Sequence, residues 1–185
     1  MRAKRLQSYI SHMLKADLRK QMRDRKRQLT RQQLEELSLS VIARLRPMLR
    51  EATVVLAYYS LPDEVCTHVL LDELVADGKT VLLPRVVGDT VMELCRYSSE
   101  ADLRQGAFHI LEPVGQQFTD MSLIDTALVP GMAYDAQGHR LGRGKGYYDR
   151  LLAGLACRKI GVCFDFQKVS EVPVDVHDIP VDIVV

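Results

Sequence analysis

Apolar positions divide the chain into segments with two different rhythms. Leu14, Leu18, Met22 and Leu29 recur near helical spacing with Lys and Arg between them, which predicts a basic amphipathic helix over about residues 10–28. Thr30 followed by Gln33 has the form of a capping box. It opens a second helix with Leu34, Leu37, Val41, Ile42, Leu45 and Leu49 on its apolar face and Pro47 near its end. The rhythm then changes. Thr53–Ser60 is β-branched and aromatic and predicts a strand. Cys66–Ala76, with Val69, Leu70, Leu74 and Val75, predicts a helix stopped by Gly78. Thr80–Val87 predicts a strand, Gly88-Asp89 a turn and Val91–Ser98 the hairpin partner. A short helix starts near Ser98 or Ser99, and a polar, loop-like stretch follows to Asp120. Ala127–Pro130 reads as a short buried strand, Tyr147–Leu155 as a helix, and Lys159–Phe164 and Val181–Val185 as strands.

Repeated alternation of strand and helix implies an α/β protein, with a mostly parallel central sheet layered between helices and the two N-terminal helices covering one face. With no internal repeat or low-complexity segment, residues 1–185 read as one domain, and residues 1–13 as a flexible extension of it.

Composition adds one feature. The chain has 185 residues, 47% hydrophobic and 26% charged, which excludes wholesale disorder and fibrous repeats. Its net charge of +1 conceals a split: residues 1–50 carry 14 Lys+Arg against 4 Asp+Glu, a balance of +10, and residues 51–185 carry 11 against 20, a balance of −9. A basic arm invites a polyanionic partner. No run of eighteen apolar residues suggests a membrane span. The basic N-terminus lacks the apolar stretch of a secretory signal, while the absence of acidic residues before Asp17 leaves a mitochondrial presequence open. Cys66, Cys95, Cys157 and Cys163 form no C-x-x-C pair or zinc spacing and read as free thiols in a reducing cytosol. The expected location is therefore cytoplasmic.

The densest chemistry lies in Gly131–Asp149. Gly142, Gly144 and Gly146 alternate with Arg143 and Lys145; Arg140 precedes them and a helix follows. Glycines let backbone N–H groups approach a ligand closely, a helix start adds free N–H groups, and the cations neutralise charge, which together suit a phosphate. The spacing is neither that of a P-loop nor of the dinucleotide fingerprint. Asp149 either complements the dipole of the following helix or, beside a polyphosphate, holds Mg²⁺.

The string Arg140-Leu-Gly-Arg-Gly-Lys-Gly-Tyr-Tyr-Asp149, preceded by Pro130-Gly131 and Asp135-x-x-Gly138, closely resembles the 5-formyltetrahydrofolate cyclo-ligase family. Weaker matches occur in the same order: Lys15-x-x-Leu18-Arg19, Tyr59-Ser60 with Asp63-Glu64-Val65, Leu83-Pro84, Glu112-Pro113, Val172-Pro173, His177-Asp178 and Val181-Asp182. The resemblance covers about residues 14–185. It implies a three-layer architecture like that of NagB/CoA-transferase proteins, and an ATP- and Mg²⁺-dependent ring closure of 5-formyltetrahydrofolate. By position it assigns ATP to Lys15, Arg19, Arg140, Leu141, Gly142, Arg143, Gly144, Lys145, Gly146, Tyr147 and Tyr148. It assigns the folate to Tyr59, Glu64, Met92 and Phe108 together with Arg143, Gly144, Lys145, Gly146 and Tyr147. Asp149 and Asp178 would hold Mg²⁺, and Arg143, Lys145 and Tyr148 would act in catalysis.

That chemistry needs alignment and charge neutralisation rather than a protein nucleophile. The implied partners are small molecules, with neither nucleic acid nor membrane, and the implied state is a monomer. Two alternatives stand beside this reading. One is another small-molecule, ATP-dependent kinase or ligase built on the same loop. The other is a nucleic-acid-binding module using the cations of Arg19–Arg31.

Overall fold

A computed structural model describes residues 2–106 and 110–185, with side chains from residue 13 onward. Helix α1 runs over Arg2–Arg27 and α2 over Arg31–Met48. The capping box is formed: the Gln33 N–H donates to Thr30 Oγ1 at 3.2 Å, and the Thr30 N–H donates to Gln33 Oε1 at 2.8 Å. Strand β1 (Val54–Leu56), helix α3 (His68–Ala76) and the hairpin of β2 (Thr80–Val87) and β3 (Val91–Tyr97) follow. Short strands β4 (Leu103–Gln105), β5 (Leu111–Pro113) and β6 (Gln117–Phe118) come next. After them come β7 (Thr126–Pro130), β8 (Ala133–Tyr134), β9 (Arg140–Leu141), α4 (Tyr147–Ala153), β10 (Arg158–Val162) and β11 (Ile183–Val184).

Seven strands form one sheet in the order β11-β10-β7-β1-β2-β3-β6. The pairings from β11 through β2 are parallel, and β3 and β6 add an antiparallel edge. Successive side chains leave a strand on opposite faces, and both faces here are apolar. Val55, Val81, Leu83, Leu128 and Ile160 join one core with Val41, Ile42 and Leu45 of α2 and Leu70, Leu71 and Leu74 of α3. Leu56, Leu82, Ala127 and Val129 join another with Leu151 and Leu152 of α4. Two-sided burial explains why these short strands read as continuous apolar runs.

Several sequence expectations change, beginning with β1, which covers only Val54–Leu56 of the strand expected over Thr53–Ser60. Helix α1 does not lie beside α2 on the sheet: Met22, fully buried, packs with Met132, Ala133, Leu141 and Val172, so α1 docks on the β8–β9 ribbon and the C-terminal segment. The polar stretch to Asp120 contains the β4–β5 pair and β6, each too short for period-two alternation to register. On α2, Leu37 is exposed and Ser38 is buried in its place, because Ser38 Oγ donates to Leu34 O at 2.7 Å and accepts the Cys66 N–H at 3.0 Å.

Candidate active site

The carboxyl ends of β1 and β7 and the second half of β2 open into a cleft of about 510 Å³. Crevices of this kind are where open α/β sheets hold ligands. One wall is apolar, with Tyr58, Tyr59, Leu61, Leu83, Val86, Met92 and Ile110. The other is the glycine loop, contributing Arg140, Gly142, Arg143, Lys145, Gly146, Tyr147, Tyr148 and Asp149. A smaller polar compartment of about 160 Å³ lies on the far side of that loop, lined by Lys15, Arg19, Leu141, Gly144, Asp175 and Asp178. Arg140, Gly142, Gly146 and Asp149 face both spaces. The structure therefore brings together every candidate named from the sequence except Phe108, which lies outside the described residues.

Local interactions fix the loop. Gly144 at φ 103° and Gly146 at φ 69° occupy backbone that side-chain-bearing residues adopt only under strain, and Gly146 is the N-cap of α4. At its start, Arg19 Nε of α1 donates to Gly142 O at 2.8 Å. At its end, the Tyr147 hydroxyl donates to Gly88 O at 3.2 Å and Arg150 Nε to Thr90 O at 2.7 Å, tying α4 to the β2–β3 turn. Behind the loop, the amide of buried Gln167 donates to Gly131 O and Met132 O, each at 2.9 Å.

The Asp135-x-x-Gly138 segment is architectural. The buried Asp135 carboxylate accepts the N–H groups of Gln137, His139 and Val172, each at 3.0 Å, and meets the His139 ring at 2.9 Å. Burial opposes its charge, but these donors win and hold its carboxyl below the ordinary range.

Charge is concentrated and paired. Arg140, with its side chain 3% exposed, donates to Asp149 Oδ1 at 2.8 Å and lies 5.5 Å from the centre of the Tyr148 ring, while its Nε–H has no partner among the described residues. Lys15 is buried between Asp178 and Asp175, with Asp175 Oδ2 at 2.9 Å. Arg143 Nη2 reaches Asp63 Oδ1 at 2.7 Å and Glu64 Oε1 at 2.9 Å. Burial works against the Arg143 cation, but Glu64 and Asp63 outweigh it and raise its pKa. Burial, then the nearby Glu64 charge, pushes the Tyr148 phenol well up, so at neutral pH its O–H remains a donor. Arg19 shifts the other way, lowered by burial and then by Arg23, yet a guanidinium remains charged over the ordinary pH range.

Sequence reasoning missed Lys26, Asp63 and Asp175. A lysine in the basic run Arg19–Arg31 carries no sign of burial in the sequence, yet the Lys26 side chain is only 4% exposed and its Nζ lies 3.1 Å from Asp63 Oδ2. Asp63 lies in the Asp63-Glu64-Val65 segment, but its partners Lys26 and Arg143 are distant in the chain and leave no local signal. Asp175 is three residues from Asp178, whose carboxylate accepts its N–H at 2.8 Å.

Among the described residues, no group of three or more His, Cys, Asp or Glu side chains is disposed to hold a metal ion by itself. Asp149 and Asp178 face the same compartment. Mg²⁺ commonly takes one or two carboxylates with phosphate oxygens and water, so this donor set fits a magnesium ion that arrives with a polyphosphate. No helix among the described residues is long and apolar enough to cross a membrane.

Comparison with known proteins gives a consistent picture. Residues 11–185 match the 5-formyltetrahydrofolate cyclo-ligase family. A 5-formyltetrahydrofolate cyclo-ligase of Escherichia coli is 31% identical over 173 residues, covering 89% of this chain and 95% of that one. One of Mus musculus is 30% identical over 139 residues, 68% of each chain. Among solved structures, a 5,10-methenyltetrahydrofolate synthetase of Aquifex aeolicus superposes with a TM-score of 0.81 at 39% identity, covering 92% of this chain and 88% of that one. One of Mycoplasma pneumoniae, at 24% identity and a TM-score of 0.75 over 92% and 96% of the chains, shares the fold.

Proposed function

The chain belongs to the 5-formyltetrahydrofolate cyclo-ligase family, and from that premise we propose that it closes 5-formyltetrahydrofolate to 5,10-methenyltetrahydrofolate with ATP and Mg²⁺, releasing ADP and phosphate. The observation that carries this reading is one glycine loop forming a shared wall between two unlike spaces: a largely apolar cleft into which Glu64 presents its carboxylate, and a small compartment rich in cations and carboxylates. A flat heterocycle with an edge of paired N–H donors suits the first, and a polyphosphate suits the second.

The assignments follow from that division. Tyr59 and Met92 offer apolar contact to the ring system, and Glu64 accepts its paired N–H groups by the bidentate logic that pairs a carboxylate with a guanidinium. Phe108, by family position, extends the folate contact. Lys15, Arg19 and Arg140 face the phosphates, and the Nε–H of Arg140, without a partner among the described residues, is a donor that a phosphate oxygen would satisfy. The backbone of Leu141, Gly142, Gly144 and Gly146, with Tyr147, lines the boundary between the two spaces. Asp149 and Asp178 would hold Mg²⁺, which when bound screens the charge of the phosphates. Arg143 and Lys145 stand on the cleft side, where the formyl oxygen and the γ-phosphorus must meet.

In the reaction the formyl oxygen takes the γ-phosphoryl group and ADP leaves. The second folate nitrogen then attacks the activated carbon, loses its proton, and the carbon–oxygen bond breaks to release phosphate. The chain's residues align the two reactants and stabilise charge on the phosphoryl oxygens; Tyr148, kept protonated, can donate one hydrogen bond there. No side chain is required as a nucleophile.

Burial of Lys15 and Lys26 against carboxylates consumes part of the basic arm internally, which speaks against a nucleic-acid surface built from it. The test is incubation with 5-formyltetrahydrofolate, ATP and Mg²⁺: equal amounts of methenyl product and ADP are expected. ADP formed with a different acceptor and no methenyl product would favour a kinase instead.

A further inference from the structure

Arg143 is shared between two carboxylates that belong to adjacent residues, and those two are not equivalent. Glu64 points into the cleft; its Oε1 meets Arg143 and its Oε2 accepts the Leu61 N–H at 3.0 Å. Asp63 is turned away from the cleft lining, and its second oxygen is fixed by the buried ammonium of Lys26. Glycines flank Arg143 on both sides, one of them at φ 103°, so the guanidinium can change partner without dragging a helix or strand. A ligand that presents paired N–H donors to Glu64 needs the oxygen that Arg143 holds. A carboxylate oxygen offers two lone-pair directions, and Arg143 takes both at Glu64 Oε1, through Nη2 at 2.9 Å and Nε at 3.3 Å.

From this geometry we infer that Asp63, fixed by Lys26, is a positioning residue: it is the seat to which Arg143 withdraws when the folate ring takes Glu64. The inference rests on the functional reading above. The seat matters because Arg143 without it would stay on Glu64 and compete with the substrate. Asp63 touches neither substrate nor phosphate in this role and acts only through Arg143.

The test is equilibrium binding of 5-formyltetrahydrofolate, measured by fluorescence titration without ATP, so that no catalytic step enters. Asp63→Asn is expected to raise the Kd about tenfold, the effect of one charge-assisted contact. It also leaves the buried Lys26 unpaired, so the same change is made in a Lys26→Met background, where the Kd is expected to rise equally while the fold no longer carries that unpaired charge. Adding Arg143→Gln to Asp63→Asn removes the competitor and is expected to lower the Kd below that of Asp63→Asn alone, while loss of Arg143's own folate contact keeps it above the parent value and turnover stays low. A merely structural Asp63 would not be rescued by deleting Arg143. An unchanged Kd in both Asp63→Asn variants, or no recovery on adding Arg143→Gln, overturns the seat while the functional reading stands. A parent chain that does not bind 5-formyltetrahydrofolate overturns the functional reading and the inference with it.

Discussion

Arg140→Met tests the electrostatic design of the loop. The Arg140–Asp149 pair is 2.8 Å long, with side chains 3% and 19% exposed. Removing one partner of a fully buried pair is worth about 3–5 kcal/mol; the partial exposure of Asp149 reduces this to about 2 kcal/mol. Loss of the contact with the Tyr148 ring adds about 1 kcal/mol. Against this, the substitution removes the buried Nε–H that has no partner among the described residues, which returns about 1 kcal/mol. The net loss is about 2 kcal/mol, and a chain of this size then melts roughly 4–8 °C lower. Calorimetry and urea denaturation read it directly. Because the loss comes mostly from the stranded Asp149 charge, Arg140→Met with Asp149→Asn is expected to recover most of it. A single variant melting within about 1 °C of the parent, or a double variant no more stable than the single one, would refute the reasoning.

Other consequences are simpler to state. Asp63 and Asp135 have carboxyls held below their unfolded values. Their stabilisation is complete above about pH 4 and is lost as pH falls through the lower folded values; urea midpoints measured from pH 7 to 2 should drop in that window, with a shallower drop in Asp135→Asn. Gly144→Ala places a side chain at φ 103°, which costs about 1–3 kcal/mol; the loop should distort, and ATP affinity measured by calorimetry should fall more than folate affinity. Thr30→Ala deletes the cap of α2 and should reduce unfolding free energy by about 1 kcal/mol without changing ligand affinity. In a spectroscopic titration, Tyr148 should ionise later than a free tyrosine, and Tyr148→Phe should remove a late-ionising group rather than an early one.

Much of the architecture was legible because burial on both faces of a sheet and capping chemistry are local signals. The span of β2 and the Thr30 box follow directly from them. The two-residue strands of the β8–β9 ribbon are too short to show a period, yet that ribbon carries Arg140 and receives α1. The glycine loop was legible because alternating glycines and cations are unusual. Its partners were harder to see, since Lys26 finds Asp63 and Lys15 finds Asp178 across long stretches of chain. A lysine on a basic helix reads as solvated unless its distant carboxylate is known. Val69 shows the reverse error: it fits the apolar spacing of α3 but is 65% exposed.

The most direct test of the central claim follows an isotope. With ¹⁸O in the formyl oxygen of 5-formyltetrahydrofolate, ATP and Mg²⁺, mass spectrometry of the released phosphate should find one ¹⁸O per phosphate, matched to methenyl product and ADP. Methenyl product accompanied by unlabelled phosphate would contradict phosphoryl activation of the formyl oxygen.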